Sequence, residues 1–541
     1  MRNIYDFVSP LDFRYYGDDP HVFQRVQPYL SEAAFIKYQA RAERALILTF
    51  FDLGWCPPAH TDEISKACDA VTADEVYEEE KKTGHVVRAL VNCIARKVSS
   101  DAARFVHLFS TSSDITDTAN ALRFQEFVRD ILLPDLLEFQ ITLIKLARQH
   151  ARTPQIGRTH GRHAEPITFG FAIALYVDRL GGRIKLLEDT RQKLPGQLSG
   201  AVGAYNALSL QLPRGAVMFE KLFLSHLGLQ PAPGSISSQV VQPEYITDLG
   251  YAAHSCFSVL ANLADDIRHL HRSEIAEVQE QFSADTVGSS TMPHKLNPKN
   301  FENVKGMWKA FAPRITTLLM DQISEHQRDL TNSASQRFLP ELFVALDYCT
   351  VRLNRAISAL RVNEEGMRKN IEMSKEHIVA EPLYILLALQ GYSKAYERVR
   401  ALAREAREGG KRLIDLARED TDIGPRIKSL KPEHLDILED PIKYIGQAYE
   451  RTVAVCDQRE QEINELREYL KEEKEVLSSS KTERFSVIYA QLRALEEGEV
   501  SPQGFCPAED RKEFIKAWIE DAKLNEQSQN NVVEMKKGAN G

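Results

Sequence analysis

Residues 341–360 read ELFVALDYCTVRLNRAISAL. Leu342, Leu346, Cys349, Leu353, Ile357 and Leu360 recur every three or four positions, which lines them along one face of an α-helix. The same period runs through residues 125–150, 171–194, 245–281 and 303–330. Each of these is about 24 residues or longer, roughly twice the ~11–12 of an average globular helix. An apolar stripe of that length is buried by a neighbouring helix of similar length, and several such helices satisfy one another in a bundle. Pro134 and Pro313 fall inside two of the segments and predict kinks. Alternating strand segments with hairpin turns are nearly absent. The expected fold class is all-α around a central long-helix bundle, and the stripes left over predict bundle-to-bundle assembly.

Length and composition agree with a globular protein. Its 541 residues allow three or four domains at ~150 residues each, and a large core that needs no disulfide or metal staple. Lys and Arg number 68 against 77 Asp and Glu, a net charge of −9, which argues against a nucleic-acid partner. No run of about 18 apolar residues is present, so no membrane span is expected. The start, MRNIYDFVSP, lacks the apolar core of a secretion signal. Cys56, Cys68, Cys93, Cys256, Cys349, Cys456 and Cys506 form no CxxC pair. They read as free thiols in a reducing compartment, so the expected location is cytoplasmic.

Polar stretches bearing Gly or Pro separate the helices at residues 110–120, 157–170, 195–206 and 286–303. They are longer than ordinary connectors, and loops on a rigid scaffold are where binding and catalysis concentrate. Past about Ala380 the chain becomes a second helical region rich in Arg and Glu. Residues 459–474 mix both charges densely and predict a solvated helix, and residues 525–541 predict a disordered tail. The expected organisation is an N-terminal helical domain at 1–112, the bundle at 113–380, and a C-terminal helical domain with a charged extension at 381–541.

Three of the polar stretches carry chemistry. Residues 286–303, TVGSSTMPHKLNPKNFEN, offer Ser289, Ser290, Lys295 and Asn297 within nine residues, between Gly288 and Pro298. From composition the stretch is either an ordinary polar loop or one that binds an anion and abstracts a proton, since a serine alkoxide is a strong base. No GxSxG elbow accompanies it, which disfavours a serine hydrolase. Residues 157–170, GRTHGRHAEPITFG, hold His160 and His163 among glycines that permit close backbone approach. Without HExxH or a thiolate cluster no metal site is expected. Residues 110–120, STSSDITDTAN, read either as a helix cap built from Thr111, Ser112 and Asp114 or as hydroxyls and N–H groups that hold a carboxylate.

TSSDITDTAN, GRTHGRHAEPITFG and GSSTMPHKLNPKNFEN resemble, in order and spacing, the three signature regions of the fumarase/aspartase superfamily. The likeness runs from about Ser9 to about Asp415, and residues 288–302 match the most specific motif, G-S-S-x-M-P-x-K-x-N-(x)4-E. The superfamily implies a three-domain all-α fold that assembles as a homotetramer, each active site drawing on three chains. Within it the adenylosuccinate lyases are the most similar. The His of Met292-Pro293-His294-Lys295 points that way, as do SPLDFRYYG with Arg14 and Tyr15, QRDLTNSASQR with Arg328, Ser333 and Arg337, and Gln239 in SSQVVQPEY.

That resemblance implies a β-elimination that breaks a C–N bond and releases fumarate, without metal or redox cofactor. The implied substrates are succinyl-purine nucleotides: adenylosuccinate, giving AMP, and the succinyl adduct of the aminoimidazole carboxamide ribotide. By resemblance Ser289 is the general base and His160 the general acid. Lys295 and Asn297 stabilise the developing carboxylate charge, and Thr111 and Ser112 anchor the succinyl portion. His85 and His107 are further active-site histidines, Arg14, Arg328 and Arg337 clamp the phosphate, and Tyr15, Gln239 and Ser333 contact substrate. Two positions depart from the family: Val86 stands where an Asp is usual and Phe109 where a Gly is usual. The first removes a carboxylate beside His85; the second is expected to add bulk near Thr111 and Ser112. They leave room for a superfamily lyase acting on another succinyl-type substrate, or for a catalytically silent helical scaffold.

Overall fold

A computed structural model describes residues 8–282 and 290–478. The helices α1 (Pro20–Leu30), α2 (Glu32–Asp52), α3 (Pro58–Ala70), α4 (Ala73–Thr83) and α5 (Val86–Ala95) are short to medium, and all but α3 start on a side-chain cap. Ser31 accepts from the Ala34 N–H at the start of α2, and a Thr72–Glu75 capping box opens α4.

The bundle follows. Helix α6 (Ser112–Phe127) passes through a π-helical turn, Val128–Leu132, directly into α7 (Leu133–Gln149). The turn lies just before Pro134, whose missing N–H cannot complete the regular ladder, so the expected kink takes the form of a π turn. A hairpin, β1 (Pro154–Thr159) with β2 (Arg162–Thr168), leads to α8 (Phe169–Gln192). Then come α9 (Glu244–Leu270), the two-residue strand β3 (Val278–Gln279), α10 (Lys299–Phe311), α11 (Arg314–Met320) and α12 (Leu339–Ser358). Helices α7, α8, α9, α10 and α12 pack in that cyclic order, α12 closing against α7. The ring encloses fully buried Phe139, Phe169, Phe257, Phe301 and Phe343. Where α8 leaves α7 the backbones almost touch. A Cβ on Gly170 would lie 2.3 Å from the Ala147 carbonyl oxygen, so only glycine fits.

Past the bundle, β4 (Arg361–Val362) pairs with β3 and α13 (Glu364–Glu372) packs on β1. Helices α14 (Ala380–Leu389), α15 (Ala395–Gly409), α16 (Leu413–Glu419) and α17 (Pro432–Glu439) enclose a separate small core that includes Leu383, Leu387, Val399, Leu402 and Leu413. The last described helix, α18 (Ala448–Ser478), returns to the bundle and packs along α8 and α7.

Several expectations need correction. In the segment at 303–330 the first helix ends before Pro313, a second stops at Met320 and residues 321–330 are not helical, and the helix expected at 245–281 stops at Leu270. The stretch at 157–170 is not a loop but most of a β-hairpin. Residues 459–474 are helical but not merely solvated. Cys456, Ile463 and Leu470, seven apart, are buried, and Glu473 is wholly buried against Arg191 of α8. Arg191 also grips Glu188 through two bonds of 2.6 and 2.7 Å, giving an ion triad inside the protein. Among the described residues no helix is long and apolar enough to cross a membrane, and six cysteines are buried free thiols.

Candidate active site

The N-terminal end of α6 gathers four of the expected residues. The Thr111 N–H donates to the Asp114 carboxylate at 2.8 Å, and the Ser199 N–H donates to the same group at 2.9 Å. Thr111 and Ser112 are thereby held half-buried at the helix start. Asp114 has no solvent exposure, and burial pushes its carboxyl up to about 7 although backbone N–H groups oppose the shift. One turn on, Asp117 accepts from the Val241 N–H at 3.0 Å. Arg328 donates through Nη1 to Ser113 Oγ at 2.5 Å and to Gln239 Oε1 at 2.9 Å. Gln239 is itself fixed, its N–H on the Gln327 carbonyl (3.2 Å) and its own carbonyl on Gln197 Nε2 (2.7 Å). Thr111, Ser112, Gln239 and Arg328, scattered over more than 200 positions of sequence, thus share one site.

His107 stands beside them in a left-handed conformation, φ +62°. Its Nδ1 lies 2.6 Å from Oε1 of the buried Glu43 and 3.0 Å from Ser110 Oγ. Burial disfavours the imidazolium, but the Glu43 carboxylate outweighs it, so the His107 pKa is raised. A neighbour so placed leaves Nε2 as the nitrogen available to a ligand. His85 is exposed and caps α5, its Nδ1 accepting from the Arg88 N–H at 3.3 Å. The neutral ring therefore carries its proton on Nε2. The orientation of His85 comes from this cap, a role that needs no carboxylate at position 86.

Phe109 does not add bulk to the site. Its backbone is left-handed, φ +67°, and the ring turns inward to pack edge-on against Phe50 and Trp55, centroids 6.1 and 6.2 Å away. A glycine takes that φ freely, whereas the phenylalanine offsets the strain by aromatic packing.

His160 lies far from this cluster. With Gly161 it forms the two-residue turn of the hairpin, at φ +53° and +72°, the left-handed pair that suits tight hairpins. The ring is exposed at the tip. His163 points back instead, its Nδ1 2.8 Å from Ser374 Oγ, and burial lowers its pKa. Helix α6, the π turn and α7 contain 16, 5 and 17 residues. At ~1.5 Å per residue they make a rod of about 57 Å between Thr111 and the root of the hairpin.

Lys295 is exposed and Asn297 half-buried, in the turn that enters α10 through Pro298. Ser289 lies outside the described residues. The stem of this loop is fastened by Glu280, which is buried and accepts from the Asn300 N–H at 3.2 Å and from its side-chain amide. Asn300 Oδ1 accepts from Arg352 Nε (2.8 Å), and Arg352 pairs with Asp18 at 2.7 Å. Burial raises the Asp18 carboxyl, but Tyr348, Arg352 and nearby Arg14 together outweigh it and hold it low. Arg14 is exposed on the π-helical turn Leu11–Tyr15, and the Tyr15 ring packs on Tyr348 at 5.3 Å. Ser333 and Arg337 are exposed on a short helix, Ser333–Arg337, with Arg337 close enough to Tyr77 of α4 for its charge to act there. One chain therefore unites Arg328 with Thr111, Ser112 and Gln239, and ties Arg14 to the root of the Lys295 loop, but leaves His160 apart. Sequence reading missed Glu43, Glu277 and Glu280, because nothing local separates a buried carboxylate from a solvated one. Among the described residues no group of His, Cys, Asp and Glu is arranged to hold a metal.

Known proteins resemble the chain over most of its length. A family model described as "Lyase" matches residues 14–310, and one described as "Adenylosuccinate lyase C-terminal" matches residues 324–435. Adenylosuccinate lyase of Pyrococcus abyssi is 35% identical over 449 residues, covering 82% of this chain and 96% of that protein. The chain belongs to the adenylosuccinate lyase family. The adenylosuccinate lyase of Aquifex aeolicus is also 35% identical, over 385 residues that cover 70% of this chain and 84% of its own length. Among solved structures, the 3-carboxy-cis,cis-muconate lactonizing enzyme of Pseudomonas putida superposes with a TM-score of 0.70 at 24% identity. That match covers 81% of this chain and 97% of the other, and shows a shared, mostly helical fold.

Proposed function

We propose that this adenylosuccinate lyase family member cleaves adenylosuccinate to fumarate and AMP in a cytoplasmic homotetramer with shared sites. It acts likewise on the succinyl adduct of the aminoimidazole carboxamide ribotide. The observation that carries the reading is the junction of Arg328, Gln239 and Ser113 beside Thr111 and Ser112. Hydroxyls and helix N–H groups there suit a carboxylate, and a guanidinium within the same reach suits the anionic remainder of a nucleotide.

Ser289 takes the proton from the carbon next to a carboxylate, and the electron pair moves to form the fumarate double bond. The C–N bond breaks with its electrons passing to nitrogen, and His160 supplies the proton that nitrogen accepts. Lys295 and Asn297 stabilise the carboxylate on which negative charge accumulates. His85 and His107 offer Nε2 to the substrate, and Arg14, Arg328 and Arg337 hold the phosphate, with Tyr15 and Ser333 beside them. Length supports shared sites. A substrate little more than 10 Å long cannot bridge a rod of about 57 Å, so His160 of one chain serves Thr111 and Ser112 of another. Exposed Phe171 and Leu175 on α8 and Tyr251 on α9 supply apolar surface for such packing.

The test compares adenylosuccinate with its phosphate-free nucleoside. Losing charge-assisted bonds worth ~1.5–3 kcal/mol each predicts a drop in kcat/KM on the order of 10²-fold or more. Equal kcat/KM for both compounds contradicts a nucleotide site.

A further inference from the structure

Glu277 has no part in the proposed chemistry, yet it is a fully buried carboxylate at the junction of four elements. It immediately precedes β3, which pairs with β4, and its backbone carbonyl accepts from the Asn363 N–H at 2.9 Å. Its Oε2 accepts from Gln155 Nε2 at 2.8 Å. Its Oε1 accepts from Arg158 Nη2 at 2.6 Å and from Asn370 Nδ2 of α13 at 2.8 Å. Gln155 and Arg158 belong to β1, and Arg158 stands two residues before His160.

A two-stranded hairpin alone is marginal in water, so the direction of its tip is set by whatever grips its root. The register of β1 against β2 shifts between Ile156 and Arg158, an irregularity that re-aims a strand's side chains. Gly157 sits at that shift, where a Cβ would meet the Glu165 carbonyl oxygen at 2.6 Å. Ile156 is buried while Arg158 swings onto Glu277. A buried carboxylate with a charged partner and two amide donors has one low-energy arrangement, and losing it leaves unpaired donors in the interior.

We propose that Glu277 is a positioning residue that acts through Arg158 and Gln155 to aim His160 at the substrate bound by the neighbouring chain. This rests on the reading of His160 as general acid. Glu277→Gln keeps the volume but removes the charge that pairs with Arg158 and sets an amide N–H₂ against one of the three donors, whereas Glu277→Asp keeps the charge.

The experiment measures kcat and KM of the assembled enzyme for Glu277→Gln, Glu277→Asp, His160→Ala and the double variant Glu277→Gln/His160→Ala, with assembly checked by light scattering. The proposal expects Glu277→Gln to lose 10- to 100-fold in kcat with KM within about threefold, as for a positioned acid set out of line. It expects Glu277→Asp to recover part of that loss. It expects the Gln substitution to cost nothing more once His160 is gone. Wild-type kcat in an assembled Glu277→Gln enzyme overturns the proposal. So does an equal loss in both backgrounds, which would place the action of Glu277 elsewhere. Unimpaired His160→Ala overturns the reading of His160 instead, and the two failures are distinguishable. If Glu277→Gln does not assemble, Arg158→Gln is taken through the same cycle with the same expectations.

Discussion

The separation of His160 from Arg328 and Thr111 yields a quantitative prediction. The proposed reaction uses both groups, and in one chain a rod of α6, the π turn and α7, about 57 Å long, separates the end where Arg328 binds Ser113 from the root of the hairpin that carries His160. The proposed function then has each working site take His160 from one chain and Arg328 from another. The perturbation is a pair of inactive variants, His160→Ala and Arg328→Met, each purified alone and then dissociated, mixed in equal amounts and reassembled. With random assortment a site receives an intact His160 with a chance of one half and an intact Arg328 with the same chance. About a quarter of the sites are then whole, and the mixture regains about a quarter of wild-type activity. Fumarate release followed by ultraviolet absorbance is the assay, with each variant reassembled alone as the blank. Recovery should rise and fall with the mixing ratio and peak at equal amounts. No recovery from tetramers shown by native mass spectrometry to be mixed would mean that each chain completes its own site, refuting the argument from rod length.

Arg191→Met strands two buried carboxylates, Glu188 and Glu473, and should cost ~3–5 kcal/mol in urea unfolding, whereas a loss under 1 kcal/mol would mean α18 is not fastened through this triad. The raised pKa of His107 means its pair with Glu43 stabilises the fold below pH ~6.5, and that contribution is lost as pH rises through the folded value. Glu43→Gln should flatten this part of the stability–pH curve, and an unchanged curve would show that Glu43 does not hold the proton on His107. Phe109→Gly relieves a left-handed strain of ~1 kcal/mol but loses the contacts with Phe50 and Trp55, so Tm should fall while KM for substrate stays within about threefold. A tenfold change in KM would put the Phe109 side chain in the substrate's path.

How much of this was legible in the sequence depends on where the information lies. The long helices were, because the period of Leu342 through Leu360 is written in consecutive turns. Thr111, Ser112, Gln239 and Arg328 are legible together from motif resemblance, and Arg328 hydrogen-bonds to Gln239 and to Ser113, the neighbour of Ser112. The hairpin at Pro154–Thr168 was not legible, since HAEPIT lacks strand alternation and its pairing depends on support from α13 and Glu277. Helix α18 concealed its buried face, because Ile463, Leu466 and Leu470 are the only aliphatic residues amid the dense charge of residues 459–474. The inward turn of Phe109 was hidden too, since backbone handedness at one residue is set by the aromatic cluster it joins.

The most direct measurement of the central claim is fumarate and AMP release from the purified protein supplied with adenylosuccinate, with Ser289→Ala run beside it. The account predicts equimolar products and a loss of at least ~10²–10⁴-fold in the variant. No release from a folded, assembled wild-type protein, or undiminished release from Ser289→Ala, would contradict it.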